Sequence, residues 1–233
     1  MSRRFLRMGV FVFSVLLDLD GTIVDSAPGI IGSYQHALRC MGLPCPPASE
    51  LTWVVGPPSR RSFAKFVGPD HDLEEAVQLY RSHYEANGLF DCAVYPGMRE
   101  AIAALAAMPV RLFVCTSKPF GFAERIIEHV GLAHPFERIY GADLEGRFDD
   151  KGILIDHIIS VEQIDPHRTV MIGDRASDML AASRHGIAAI GALWGYGDAD
   201  ELAEARATSV CPSPDDLLAH VGDVMRASAD ARR

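Results

Sequence analysis

Phe11-Val12-Phe13-Ser14-Val15-Leu16-Leu17 runs directly into Asp18-Leu19-Asp20-Gly21-Thr22-Ile23-Val24-Asp25. A short run rich in apolar, β-branched and aromatic residues reads as a strand buried on both faces, the kind found in parallel sheets covered by helices. Two carboxylates two residues apart at the end of such a strand are expensive unless they serve a cation or a reaction. A carboxylate can also attack phosphorus to give an aspartyl-phosphate, dividing one hard displacement into two easier ones. A plain Asp-Gly turn would account for Gly21, but it leaves a second acidic cluster downstream without a reason.

That cluster is Gly173-Asp174-Arg175-Ala176-Ser177-Asp178, after the buried run Thr169 to Ile172. Val110 to Cys115 and Ile187 to Leu193 are further runs of the same kind. Between them lie segments of helical period. Met98, Ile102 and Leu105 mark one, stopped by Pro109. Phe122, Ile126, Ile127 and Val130 mark another, with Gly131 as its C-terminal cap. Ile153, Leu154, Ile158 and Ile159 suggest a third, followed by Met179 to Ser183 and by Leu217, Leu218, Val221 and Met225. Strand and helix in succession predict a doubly wound, Rossmann-like α/β fold.

In such a fold the C-terminal strand ends converge on one edge. Asp18 and Asp174 then share a hard, oxygen-ligated cation, for which Mg²⁺ is the candidate. Asp178 opens the next helix, where it suits either the site or the positive end of the helix dipole. Thr116-Ser117-Lys118-Pro119 follows Val110 to Cys115 and sets hydroxyls and backbone N–H groups where a phosphate docks at a helix start. Lys151 begins another helix after Asp149-Asp150, with an ammonium suited to phosphoryl oxygens.

One stretch breaks the alternation. From Asp25 to Tyr95 there is helical spacing, in Ile30, Tyr34, Leu38 and Met41 and again in Leu73, Val77, Tyr80 and Tyr84, and no convincing strand. We read 25–95 as a helical cap domain inserted into a core made of 1–24 and 96–233. Within it, Arg60, Arg61 and Lys65 form a basic spot in and after Gly56-Pro57-Pro58-Ser59-Arg60-Arg61. Arg60 and Arg61 are candidate contacts for an anionic substrate, and equally a solvated helix start. Ser228 to Arg233 read as frayed.

The 233 residues are 48% apolar, ample for a buried core, and carry a formal charge of -9. That balance argues against nucleic acid and anionic membrane as partners, though not against a small anion met by local Lys, Arg or metal. Five scattered cysteines with no Cys-x-x-Cys pair argue against a disulfide framework or structural zinc and for a reducing cytoplasm. Cys115 lacks the arginine that a Cys-x5-Arg phosphatase loop needs, since the position holds Gly121. Arg3, Arg4 and Arg7 before Met8 to Leu17 imitate a signal peptide, but ten apolar residues are too few to span a bilayer and no cleavage site follows.

Taken together, Asp18 to Thr22, Thr116, Lys151 and Gly173 to Asp178 resemble, in order, the motifs of the haloacid dehalogenase superfamily of phosphohydrolases, in its subgroup with a helical cap. The resemblance implies Asp18 as nucleophile and Asp20 as general acid and base, with the Asp20 main-chain carbonyl on the metal. It implies Thr116 and Lys151 holding the phosphoryl group with Ser117 and Lys118 beside them, Asp174 ligating Mg²⁺, and Asp178 supporting its water shell. The substrate it implies is a small, soluble phosphate monoester. Thr-Ser-Lys-Pro is similar to phosphoglycolate phosphatases, whereas Gly141 to Gly146 and Trp194-Gly195-Tyr196-Gly197 resemble relatives acting on nucleoside monophosphates. Arg175 departs from the Ser or Thr of many phosphoglycolate-type relatives. Asp20 counts against a dehalogenase, and the lack of lysine in residues 1–64 against a phosphonate-cleaving relative. A phosphomutase and a catalytically silent scaffold stay open as alternatives.

Overall fold

The computed structural model describes residues 12–231; Arg3, Arg4, Arg7 and Phe11 lie outside the described residues. In chain order the first half gives β1 (Phe13–Leu17), β2 (Val24–Asp25), α1 (Ala27–Cys40), α2 (Ser59–Phe63), α3 (Leu73–His83), β3 (Ala93–Val94), α4 (Met98–Ala107) and β4 (Val110–Pro119). The second half gives α5 (Phe120–His129), β5 (Arg138–Ala142), α6 (Lys151–Glu162), β6 (Thr169–Gly173), α7 (Ala176–Arg184), β7 (Ala188–Ala192), α8 (Ala199–Glu204), β8 (Ser209–Cys211) and α9 (Leu217–Asp230).

Six of the strands form one parallel sheet in the order β5-β4-β1-β6-β7-β8. β1 lies inside it with every residue buried, Leu17 in register with Val114 on one side and Ile172 on the other. Its alternation sorts the two helical layers. Val15 and Leu17 belong to the core shared with α4, α5 and α9, and Leu16 to the core shared with α6, α7 and α8. Each such side chain contributes about 1.5–3 kcal/mol by leaving water. The chain first builds outward from β1 through β4 to β5, then returns to β6 on its other flank. The C-terminal ends of β1, β4 and β6 therefore surround the point where strand order reverses, the usual ligand crevice of an open α/β sheet.

Several expectations need correction. Between Asp25 and Tyr95 no strand was expected, yet β2 and β3 pair antiparallel, Val24 with Val94 and Asp25 with Ala93. Strands of two residues are too short to display alternation. Val110 to Cys115 was expected as the strand, whereas β4 continues through Pro119, so Thr116 lies inside the strand and α5 starts only at Phe120. The edge strands β5 and β8 and the short α8 carry too little apolar pattern to be read. Ser228 to Asp230 are helical, not frayed, as the end of α9. Gly131 does cap α5, at φ +70°.

Between β2 and β3 the chain is helical. α1 and α3 pack together, and a π-helical turn, Tyr84–Gly88, prolongs α3. Contact there is close enough that a Cβ on Gly29 would lie 2.0 Å from the Gly88 carbonyl oxygen. Tyr34 stacks on Phe63 with centroids 4.4 Å apart, and Tyr80 and Tyr84 extend the cluster. The Tyr84 ring then meets Phe122 of α5 edge-on, joining this stretch to the sheet layer. Among the described residues no helix is long and apolar enough to cross a membrane.

Candidate active site

Asp18 continues β1 past its last residue, donating its N–H to the Ile172 carbonyl at 2.9 Å, while its own Oδ1 accepts the Leu19 N–H at 2.7 Å. The chain then turns tightly, with the Ile23 and Val24 N–H groups both on the Leu19 carbonyl. Gly21 allows the turn at φ +80°, and a Cβ there would also sit 2.1 Å from Asp174 Oδ2. Two separate constraints thus demand glycine.

Asp174 follows β6 and is fully buried. It accepts from Thr22 Oγ1 at 3.3 Å and from the Tyr196 N–H at 2.9 Å. The loop after β7 presses on it, since a Cβ on Gly195 or Gly197 would come within 2.3 or 2.0 Å of Asp174 atoms. Lys151, buried at the start of α6, lies 2.8 Å from Asp18 Oδ2 and also pairs with Asp178 Oδ1. Asp178 Oδ2 accepts the Arg175 N–H at 3.0 Å. Both Asp178 oxygens are thereby engaged in fixing Lys151 and the start of α7.

On the other side of Asp18, Asp20 forms a second buried pair. Lys118 Nζ reaches its two oxygens at 2.8 and 2.7 Å, and Ser26 Oγ donates to Oδ1 at 2.6 Å. The Thr116 hydroxyl accepts the Lys118 N–H at 3.2 Å, bending the end of β4 around the site.

Oxygens of Asp18, Asp174 and Asp178 all lie within 4.8 Å of one another. Burial pushes the Asp18 carboxyl up to about 6; Lys151 opposes this, and Asp178 and Asp20 add to it. Asp174 is held well above the usual carboxylate range by burial and then by Asp178 and Asp18. Burial works against the Lys151 ammonium, but Asp178 and Asp18 outweigh it and hold it above its usual range. Three buried carboxylates, two of them on the single Lys151 ammonium, leave an excess of negative charge on hard oxygen donors. A divalent cation fits that donor set.

Asp18, Asp20, Thr116, Lys118, Lys151, Asp174 and Asp178 are thus gathered at one edge, with Ser117 alongside. Arg60 is not: its Nε and Nη2 are bound by Glu74 at 2.6 and 2.7 Å. Arg61 lines a wide groove of about 440 Å³ that also touches Ser117 and Lys151. Ser26, which binds Asp20, carries no mark of that role in its local sequence, and neither do Arg81 and Tyr84, which line a small cavity beside Asp20 and Lys118. Tyr196, between Gly195 and Gly197, ties two segments of the site together. Its N–H holds Asp174 and its hydroxyl donates to Asp25 Oδ1 at 2.6 Å while accepting from the Ser26 and Ala27 N–H groups at 3.1 and 3.0 Å.

A Rossmann-like sheet with a carboxylate-rich, lysine-balanced edge defines an enzyme that handles anionic oxygens. Residues 15–192 match the family model described as haloacid dehalogenase-like hydrolase. A 5'-nucleotidase of Pseudomonas aeruginosa is 38% identical over 199 residues, covering 85% of this chain and 90% of that one. The tyrosine-protein kinase PtkA of Mycobacterium tuberculosis is 38% identical over 196 residues, 84% of this chain and 67% of that one. The crystal structure of a predicted phosphatase from Clostridium acetobutylicum superposes with a TM-score of 0.86 at 33% identity, covering 92% of this chain and all of that one. The chain belongs to the haloacid dehalogenase-like hydrolases, within their phosphatase branch.

Proposed function

We propose that the chain is a magnesium-dependent phosphatase that hydrolyses a small phosphate monoester through an aspartyl-phosphate on Asp18. The observation that carries this reading is the convergence of Asp18, Asp174 and Asp178, with the buried Lys151 ammonium on two of them, Asp18 and Asp178. Asp18, Asp174 and the Asp20 main-chain carbonyl would hold Mg²⁺, which would supply charge compensation for the phosphoryl oxygens. Asp18 attacks phosphorus, and the P–O bond to the alcohol breaks as Asp20 gives its proton to the departing oxygen. Water, losing a proton to Asp20, then attacks the phosphoryl phosphorus and frees Asp18. Thr116, Ser117 and Lys151 hold the phosphoryl oxygens, and Asp178 keeps Lys151 aimed at them.

Lys118 on both oxygens suits Asp20 as the base of the second step. For the first step this contact must yield so that Asp20 can carry a proton to the leaving group. Asp20→Asn is accordingly expected to lose about 10²–10⁴-fold in turnover while magnesium still raises its melting temperature. Unchanged turnover would remove Asp20 from the mechanism. Residues 25–95 act in this reading as a cap that shields the phospho-enzyme from water. Five free cysteines, two of them exposed, support a reducing compartment such as the cytoplasm.

Phosphate release from aryl phosphate, phosphoglycolate, sugar phosphates and nucleoside monophosphates, with and without magnesium, tests the proposal. ATP with a tyrosine peptide covers the activity in the PtkA name. Release that needs both magnesium and Asp18 supports it; transfer to peptide without release overturns it.

Magnesium should also reveal itself in stability. Asp18 rises from an ordinary 3.8 to about 6 on folding, and Asp174 moves the same way. The folded protein therefore binds protons that the unfolded chain does not, between about pH 4 and 6 and above. Metal-free protein is expected to gain stability as pH falls through this window and to lose it as pH rises to 7. Magnesium should raise the melting temperature more at pH 7.5 than at pH 5, where protons compete for the same oxygens. Thermal scans in chelator and in magnesium check this, and an equal or larger rise at pH 5 contradicts it.

A further inference from the structure

The helical stretch carries a group of soft donors apart from the phosphoryl-handling edge. On α1, His36 and Cys40 stand one turn apart, and His36 Nε2 lies 3.5 Å from Cys40 Sγ. At the end of α3, His83 lays its ring against His36, with centroids 4.1 Å apart and planes 24° from parallel. None of the three lines the cavities beside Asp20 and Lys151.

Hydrogen bonding decides which nitrogen of His83 is free. Ser33 Oγ has one proton and gives it to the Gly29 carbonyl at 2.7 Å. Its 3.0 Å contact with His83 Nδ1 therefore has the ring donating and the hydroxyl accepting. The ring proton sits on Nδ1, and Nε2 keeps a lone pair. Burial, then His36 and Arg39, hold His83 below its usual range, so the ring is neutral at neutral pH. A histidine whose other nitrogen is fixed by a hydrogen bond has the form of a metal ligand.

The neighbouring pair has the spacing a metal needs. Zinc holds an imidazole nitrogen at about 2.0–2.1 Å and a thiolate at about 2.3 Å, which at a tetrahedral angle puts those two atoms about 3.5 Å apart. His36 Nε2 and Cys40 Sγ already stand at that separation. Among the described residues only Asp18, Asp174 and Asp178 hold three ligand atoms within 4.8 Å of one another, so His83 Nε2 has to close on the pair by a tilt of its ring about the Ser33 bond. Cys40 is exposed, which gives a cation access from solvent and leaves room for a water as fourth ligand. Two imidazoles and a thiolate select zinc-like ions over magnesium. A Cys-x-x-Cys pair is not needed, because histidines from two helices join a single cysteine.

We propose that His36, Cys40 and His83 form a second metal site, for a borderline-soft divalent cation of the Zn²⁺ type, bridging α1 and α3. On binding, the Cys40 thiol gives its proton to water as the sulfur–metal bond forms, and both imidazoles bind as neutral ligands.

Cobalt(II), a coloured stand-in for zinc, is titrated into the full chain with magnesium in excess to occupy the carboxylate site. Wild type should develop a thiolate-to-cobalt charge-transfer band in the near ultraviolet, and stoichiometric zinc should abolish it. Cys40→Ser should lose the band, whereas Cys45→Ser, which replaces the other exposed thiol, should keep it. Ser33→Ala, which leaves every ligand in place, should weaken cobalt binding by about 10-fold, and His36→Gln and His83→Gln by at least as much. Melting curves in chelator check that each variant folds, and magnesium-dependent phosphate release by Cys40→Ser and His83→Gln should match wild type. No band in wild type, a band that survives Cys40→Ser or vanishes in Cys45→Ser, or full cobalt affinity in either histidine variant overturns the site. Full affinity in Ser33→Ala overturns the part assigned to the His83 hydrogen bond.

Discussion

Asp18→Asn is expected to lower phosphate release by about 10⁴-fold or more, since it removes the atom that bonds to phosphorus. The exchange keeps size and shape, and the amide oxygen can still accept the Leu19 N–H, although the amide nitrogen then faces the Lys151 ammonium that Oδ2 had bound. Against that loss, burial together with Asp178 and Asp20 pushes the Asp18 carboxyl up to about 6, so at pH 7 the folded state carries this charge at a cost that a neutral amide avoids. In metal-free buffer the two effects should offset, and the variant should melt within a few degrees of wild type. Activity is then lost while stability is kept, a pattern that general damage to the fold cannot give. Acid-quenched wild type, digested and examined by mass spectrometry, should carry phosphate on the peptide holding Asp18. Residual activity within ten-fold of wild type would mean that another group attacks phosphorus.

Lys151→Met should injure both properties. The change preserves most of the stem and deletes the ammonium that sits between Asp18 and Asp178. Turnover is expected to fall by about 10²–10³-fold, the scale found when one preorganised charge-stabilising donor is lost. At neutral pH and without metal, breaking a buried pair costs about 3–5 kcal/mol because the partners stay buried and uncompensated. At about 2–4 °C per kcal/mol for a chain of this size, the melting temperature should drop by roughly 6–20 °C. Lowering the pH to 5 should recover part of the loss by protonating the orphaned carboxyls, and magnesium should recover part at pH 7.5. A metal-free variant melting within a degree or two of wild type would show that Lys151 does not offset those charges.

Much of this site was legible because its chemistry sits at chain positions that sequence marks clearly. Asp18 and Asp174 stand where apolar runs stop, and Lys151 stands where a helix begins after two aspartates. What escaped depends on contacts between distant segments. Ser26 is an ordinary serine until the turn brings its hydroxyl to Asp20. Arg81 and Tyr84 lie on a helix whose apolar period disclosed its packing face and nothing about which polar atoms would be stranded. Arg60 and Arg61 drew notice as neighbours in sequence, but successive residues on a helix point about 100° apart, and Glu74 occupies one of them. The buried strands of the sheet are legible as apolar runs; its edges, β5 and β8, are short and partly exposed and carry no comparable pattern.

The hydroxyl of Tyr196 fastens Asp25, Ser26 and Ala27 at the point where the helical stretch leaves the core, from a position about 170 residues further along the chain. That stretch is consequently no interchangeable cassette. Transplanting it between relatives would carry over its helices and leave behind the phenol that sets its angle of attachment, so a working chimera has to exchange position 196 along with it.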